Sequence, residues 1–316
     1  LFFSRVVFTI VLLASGFAYA QSKCLRELET RLEDQAIAWD ERYQAYDENF
    51  AGFELQNQAS LSYGLGKKLA ILVHGFMGSP DEMSAIGDQL LAQNYHVLNL
   101  LIPGFGGTAR IANKFSHQMW TRWFAAEIAS AKACSQQILL VGFSTGGLLI
   151  HDWLTKNPRD PAVKGAVLIS PYFETSGLFQ AFIQKTAAKF LTEVSLGLVN
   201  AIPGFYDVQI MLERPDSYLQ SVPLTNSNEI VALGGYNQTR RSAKVQTPTL
   251  VMLSTDDQIT DPDVAKNLTE RTLAHRELVE YGPQFRTRVP HHMMCAEVSP
   301  VAEDLENRII EFAVSL

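Results

Sequence analysis

Three cysteines in 316 residues, Cys24, Cys134 and Cys295, stand at intervals that no structural zinc site uses. No metal centre is expected from them. They read as structural or free thiols; export would allow two of them to oxidise, and the sequence does not say which two. Charge is sparse as well: 19% of residues are charged, no long run has one sign, and the net charge is −7. That excludes a polybasic arm and disfavours nucleic-acid phosphates as partners. No internal repeat and no low-complexity tract is present, which argues against a solenoid or a disordered linker. The longest apolar run, Val6 to about Phe17, is shorter than the roughly 20 residues a membrane span needs.

What is present begins with that run. A single charge, Arg5, precedes it, and Ala18-Tyr19-Ala20 follows as a small-x-small cleavage pattern. Residues 1–20 therefore read as a secretory signal peptide, cut after Ala20. The expected location is periplasmic or secreted, with membrane anchoring if the segment stays uncleaved. The remaining chain, in a sequence that is 47% apolar, is long enough for one large core plus an insertion.

From Cys24 to about Glu48, Leu25, Leu28, Leu32, Trp39, Tyr43 and Tyr46 recur at mostly helical spacing, which predicts a helix packed on the main body. From residue 68 a regular alternation sets in. Strands are expected at 68–73, 96–100, 138–141, 163–169 and 249–253, with 276–281 as a plausible last strand. Helices are expected between them and at the end, at 79–92, 115–133, 146–156, 261–274 and 301–314. Without hairpin signals, this order predicts an α/β protein with a mostly parallel sheet covered on both faces. About seventy residues interrupt it after Ser170-Pro171. The expected organisation is a signal peptide at 1–20, an N-terminal helix and short strands at 21–66, core at 67–171, a largely helical cap at 172–242, and core again at 243–316.

The chemistry centres on Gly142-Phe143-Ser144-Thr145-Gly146-Gly147, directly after Ile138-Leu139-Leu140-Val141. Gly-x-Ser-x-Gly alone is weak, because about one chain of this length in ten carries it by chance. Between a strand and a helix it gains meaning. A serine on that sharp turn is strained, and small residues on either side relieve the crowding. The amide of Thr145, at a helix N-terminus, can hold an oxyanion. A second oxyanion donor is expected after an early strand, and Val73-His74-Gly75-Phe76 supplies the Phe76 amide; His74 precedes the serine and reads as a supporting residue. A serine nucleophile needs a base and an acid, expected in the order Ser, acid, His. The acid is expected on Ser254-Thr255-Asp256-Asp257-Gln258-Ile259. Asp257 is the choice, with Asp256 next and Glu174 more distant. The base is expected at His291-His292. His292 is preferred, with His291 then lining the pocket, while His275 reads as a surface or packing residue.

These stretches together, LVHGFMGSP (72–80), LIPGFGG (101–107), VGFSTGG (141–147), STDDQI (254–259) and HHMM (291–294), resemble the α/β-hydrolase fold and, within it, the carboxylesterase and monoacylglycerol-lipase group. The resemblance runs from about Leu69 to the C-terminus, except in the cap. It implies Ser144 as nucleophile, Asp257 as acid, His292 as base, and the amides of Phe76 and Thr145 as the oxyanion hole. With His292 so aligned, Glu297 falls where the group often has an acidic residue. The group's Pro-Gly-His-Gly loop is here Pro103-Gly104-Phe105-Gly106, which alters local contacts. The implied reaction is hydrolysis of acyl glycerols or other short- to medium-chain acyl esters through an acyl-enzyme, without metal or organic cofactor. Expected partners are small ester or lipid substrates, with transient contact of the cap with lipid and no obligate protein partner. A thioesterase, an amidase or peptidase, or a perhydrolase would use the same triad. A non-catalytic binding protein of this fold usually lacks a triad member, whereas every slot is filled here.

Overall fold

The computed structural model describes residues 2–52, 57–177, 224–285 and 287–316. Seven strands form one sheet: β1 (Ser60–Ser62), β2 (Leu69–Val73), β3 (His96–Leu100), β4 (Ile138–Phe143), β5 (Val163–Ile169), β6 (Thr249–Ser254) and β7 (Arg276–Tyr281). Their spatial order is β1-β3-β2-β4-β5-β6-β7. β1 is antiparallel to β3 at one edge, and every other neighbouring pair is parallel. This is the α/β architecture expected from the alternating pattern.

The inner strands β2, β4 and β6 read as nearly unbroken apolar runs because both faces of the sheet are covered there. Alternate residues go to opposite cores. Ile71, Val73, Leu140, Leu168 and Val251 enter one cluster with Leu25, Leu28 and Tyr43. Leu72, Val141, Val167, Ile169 and Met252 enter the other. The helices follow from the same division. α1 (Phe2–Tyr46), α4 (His117–Cys134) and α5 (Thr145–Lys156) lie on the first face, whereas α2 (Ser84–Ala92) and the C-terminal helix (Ala302–Ser315) close the second. A short helix, α3 (Ala109–Ala112), precedes α4. The remaining α-helices among the described residues are α6 (Leu224–Thr239), α7 (Pro262–Thr272) and that C-terminal helix, α8. Asp261 caps α7, its carboxylate accepting from the amides of Asp263 and Val264.

α1 is continuous through residues 2–20, and among the described residues no helix is long and apolar enough to cross a membrane. Its later turns bury Leu25, Leu28, Leu32 and Tyr43. Cys24 is joined to Cys134 at the end of α4 by a disulfide, and Arg31 is paired with the buried carboxylate of Glu127. The thiols thus divide into one bridge and one free cysteine, Cys295. The pairing depends on α1 docking against the end of α4, which the spacing of the cysteines does not reveal. Most of the expected cap lies outside the described residues, as residues 178–223. Of the parts described, α6 packs against α5 and α4.

Candidate active site

β4 ends in Phe143, and Ser144 sits at φ 50°, ψ −109°, in the left-handed half of φ space that a β-carbon disfavours. The surroundings enforce this conformation. The Ser144 amide donates to Ile169 O at 2.9 Å, and its carbonyl accepts from the amides of Leu148 at 3.0 Å and Tyr172 at 3.1 Å. The flanking glycines answer to backbone approach. A β-carbon at Gly146 would stand 2.0 Å from Val73 O, and one at Gly142 would stand 2.5 Å from the Gly146 carbonyl carbon. Neither position tolerates a side chain. The motif expected from the sequence is therefore a strand-to-helix elbow, with Thr145 as the first residue of α5.

The Gly75–Phe76 peptide is set by its neighbours. His74 is fully buried after β2, and its Nε2 accepts from the Ile102 amide at 3.0 Å. The proton must then reside on Nδ1, which donates to Gly75 O at 2.8 Å. Gly78 N–H donates to the same oxygen at 3.2 Å. Gly75 C=O and Phe76 N–H belong to one peptide plane, so fixing the first aims the second. Burial pushes the His74 imidazole down to about 4, which keeps it neutral in this role. His74 is thus a supporting residue, as its place in the chain suggested.

Asp257 lies on the turn that follows β6. Asp257 Oδ1 accepts from the amides of Ile259 at 2.8 Å and Thr260 at 3.0 Å; Oδ2 accepts from Thr260 Oγ1 at 2.8 Å and meets His291 Nδ1 at 2.6 Å. Burial alone would raise this carboxyl. The His291 charge and hydrogen bond, with the two amides, outweigh it and hold Asp257 below the usual carboxylate range. Asp256 turns the other way, its Oδ2 accepting from Val289 N–H at 3.4 Å. Glu174 is exposed.

His292, the base expected from the sequence, is not the partner of Asp257. Its Nδ1 faces Glu82 Oε1 at 3.4 Å, and His291 occupies the acid's side. The physical reason is local. Adjacent side chains on an irregular turn diverge, and which of two histidines meets the acid is set by the path from Val289 to Met294. Both rings pack on Phe143, at centroid distances of 4.9 Å for His291 and 5.2 Å for His292. His291 therefore stands beside the elbow that carries Ser144. His275 is exposed, and Glu297 is exposed with the Cys295 thiol as its donor. Glu82 did not emerge from the sequence. Its only signal there was an acidic residue in a first helical turn, which the helix dipole explains equally well. Among the described residues no group of three or more His, Cys, Asp or Glu side chains is arranged to hold a metal ion.

A mostly parallel sheet with a serine elbow at its centre, a His-Gly turn after β2 and an aspartate–histidine pair from the later strands defines an α/β-hydrolase. The chain belongs to the serine aminopeptidase, S33 (Hydrolase_4) family, whose model matches residues 66–286. It is 24% identical over 217 residues to Lipase 3 of Moraxella sp. (strain TA144), a match spanning 63% of this chain and 66% of that protein. It is likewise 24% identical over 224 residues to Lipase 1 of Psychrobacter immobilis, covering 66% of this chain and 68% of the relative. Among solved structures, a monoacylglycerol lipase of Paleococcus ferrophilus superposes with a TM-score of 0.60 at 18% identity, over 82% of this chain and 99% of the other.

Proposed function

We propose that the protein is an exported serine hydrolase of carboxylic esters, acting on acyl glycerols or other short- to medium-chain acyl esters. The observation that carries the catalytic assignment is the Asp257–His291 hydrogen bond beside the Ser144 elbow. With Nδ1 engaged by Asp257, Nε2 of His291 is the nitrogen free to act as base. Ser144 attacks the ester carbonyl as His291 takes its proton, and the amides of Phe76 and Thr145 receive the oxyanion. His291 then gives the proton to the leaving alcohol and activates water for deacylation. Asp257 holds the ring and stabilises the imidazolium. The lipase names of the two relatives support an ester as substrate. Export is supported by the pattern of residues 1–20 and by the Cys24–Cys134 disulfide, a bond that persists in oxidising compartments.

A second reading is favoured by the description of the family itself: the same triad cleaving an N-terminal amino acid from a peptide. The test is turnover of p-nitrophenyl esters of short, medium and long acyl chains against amino-acid p-nitroanilides, by wild type and Ser144→Ala. Ester turnover lost in Ser144→Ala supports the ester hydrolase. Preference for the anilides moves the assignment to the peptidase. Equal activity of the two proteins, or none on any substrate, overturns the serine mechanism.

A further inference from the structure

Glu82 is the second carboxylate beside the elbow, and the triad does not use it. It lies in the short 3₁₀ turn Pro80–Met83, whose Pro80 carbonyl is held by Asn99 Nδ2 at 2.7 Å. Its side chain is only 5% exposed. Oε2 accepts from the Gly75 amide at 2.7 Å. Oε1 is buried without a well-formed hydrogen bond among the described residues and faces His292 Nδ1 at 3.4 Å. Gly75 in turn packs against Phe143; a β-carbon there would stand 2.8 Å from the ring. His291 and His292 pack on the same ring.

We propose that Glu82 and His292 are positioning residues: a second histidine–carboxylate pair that ties the oxyanion turn to the histidine loop across Phe143. The donor at Phe76 and the base at His291 come from segments more than two hundred residues apart in sequence, and transition-state stabilisation requires them at a fixed separation. Glu82 holds the amide that precedes the Phe76 peptide. His292 holds the residue after the base. A buried carboxylate oxygen with one close cationic or N–H partner is costly unless that contact persists, so the pair resists separation of the two segments. The proposal rests on the catalytic assignment above, and acts through Phe76 and His291 rather than on the substrate.

The experiment measures kcat and KM for a p-nitrophenyl ester and the inhibition constant of an alkyl boronic acid, which mimics the tetrahedral intermediate. The proteins are wild type, Ser144→Ala, Glu82→Ala, Glu82→Gln, His292→Ala and the Glu82→Ala/His292→Ala double variant. The expected result is a roughly 10- to 100-fold fall in kcat for Glu82→Ala, with KM within about threefold. Boronate affinity should weaken by a similar factor. Glu82→Gln, which keeps an acceptor for Gly75 N–H and offers an amide N–H to His292 Nδ1 in the tautomer that accepts there, should recover most of the loss. The double variant should be no worse than the poorer single variant. Three results would overturn the proposal: unchanged kcat in Glu82→Ala; losses that add fully in the double variant; or a loss in stability or KM alone. If Glu82→Ala does not fold, Glu82→Gln and His292→Ala decide: a kcat equal to wild type in His292→Ala overturns the pairing. Activity surviving in Ser144→Ala instead sinks the catalytic assignment on which the pair depends.

Discussion

Asp257 Oδ2 lies 2.6 Å from Nδ1 of His291, while Nδ1 of the adjacent His292 lies 3.4 Å from Glu82 Oε1. Two neighbouring histidines thus serve two carboxylates, one from the turn after β6 and one from the turn after β2. The difference between them is measurable. His291→Ala is expected to lower kcat by about 10⁴-fold or more, as loss of a triad base does. His292→Ala should lower it by no more than about 100-fold. Steady-state kinetics on one p-nitrophenyl ester checks both, and the reverse ranking would return the base to His292.

Asp257→Asn should cost about 10⁴ in kcat, because an amide no longer fixes the productive tautomer of His291. Asp256→Asn, which only loosens the long contact to Val289 N–H, should remain within about tenfold. The pH dependence has a definite sign. Asp257 is held below the usual carboxylate range, so its stabilisation is complete above the ordinary aspartate value and is lost as pH falls through the lower folded value. The acid limb of kcat/KM therefore does not arise from Asp257. Denaturant melts of wild type and Asp257→Asn from pH 2.5 to 6 would show the difference.

His74 and His151 are both pushed down to about 4 by burial. His151 is held between Asn237 Oδ1 and Thr272 Oγ1, each at 2.9 Å. An unfolded histidine binds its proton near 6.5, whereas these two resist protonation until about 4. Below about 6.5 the unfolded state binds more protons, so stability is complete above that value and falls as pH drops toward 4. Each histidine contributes on the order of 3 kcal/mol to that fall. The expected result is a steep decline in unfolding free energy between pH 6.5 and 4, with a clearly shallower slope in His151→Gln. An unchanged slope in that variant would contradict it.

The Cys24–Cys134 bridge spans 110 residues of sequence and fastens α1 to the end of α4. Closing so long a loop stabilises the fold by about 3–5 kcal/mol in the chain-entropy account. Cys24→Ser, or reduction of the wild type, should lower Tm by about 5–10 °C. It should leave kcat at 25 °C nearly unchanged, since neither cysteine lies in the catalytic machinery. Calorimetry with and without reductant, beside an ester assay, measures both.

How much of this was legible in the residues follows from what each signal depends on. β2, β3, β4, β5 and β6 fall where largely apolar runs such as Leu69–Val73 announce them, because a sheet buried on both faces leaves a continuous signature, whereas the half-exposed edge strand β7 follows from its place after a helix. The elbow was legible because Gly142 and Gly146 have no steric alternative. Asp257 stood out because a strand end carries it. Three features were not legible, and each depends on tertiary contact. The choice between His291 and His292 is a matter of one residue on an irregular turn. The cysteine pairing depends on how α1 docks. Glu82 acquires its partners only when the turn after β2 meets the histidine loop. The histidine that meets Asp257 stands one position before the expected base for that reason.

The most direct measurement of the central assignment is covalent labelling by a p-nitrophenyl alkylphosphonate, followed by peptide mass spectrometry and by the rate of label incorporation. The account predicts one phosphonyl group on Ser144, none in Ser144→Ala, and a rate at least about 10³-fold lower in His291→Ala but far less reduced in His292→Ala. Label on another residue, or equal rates in wild type and His291→Ala, would contradict it.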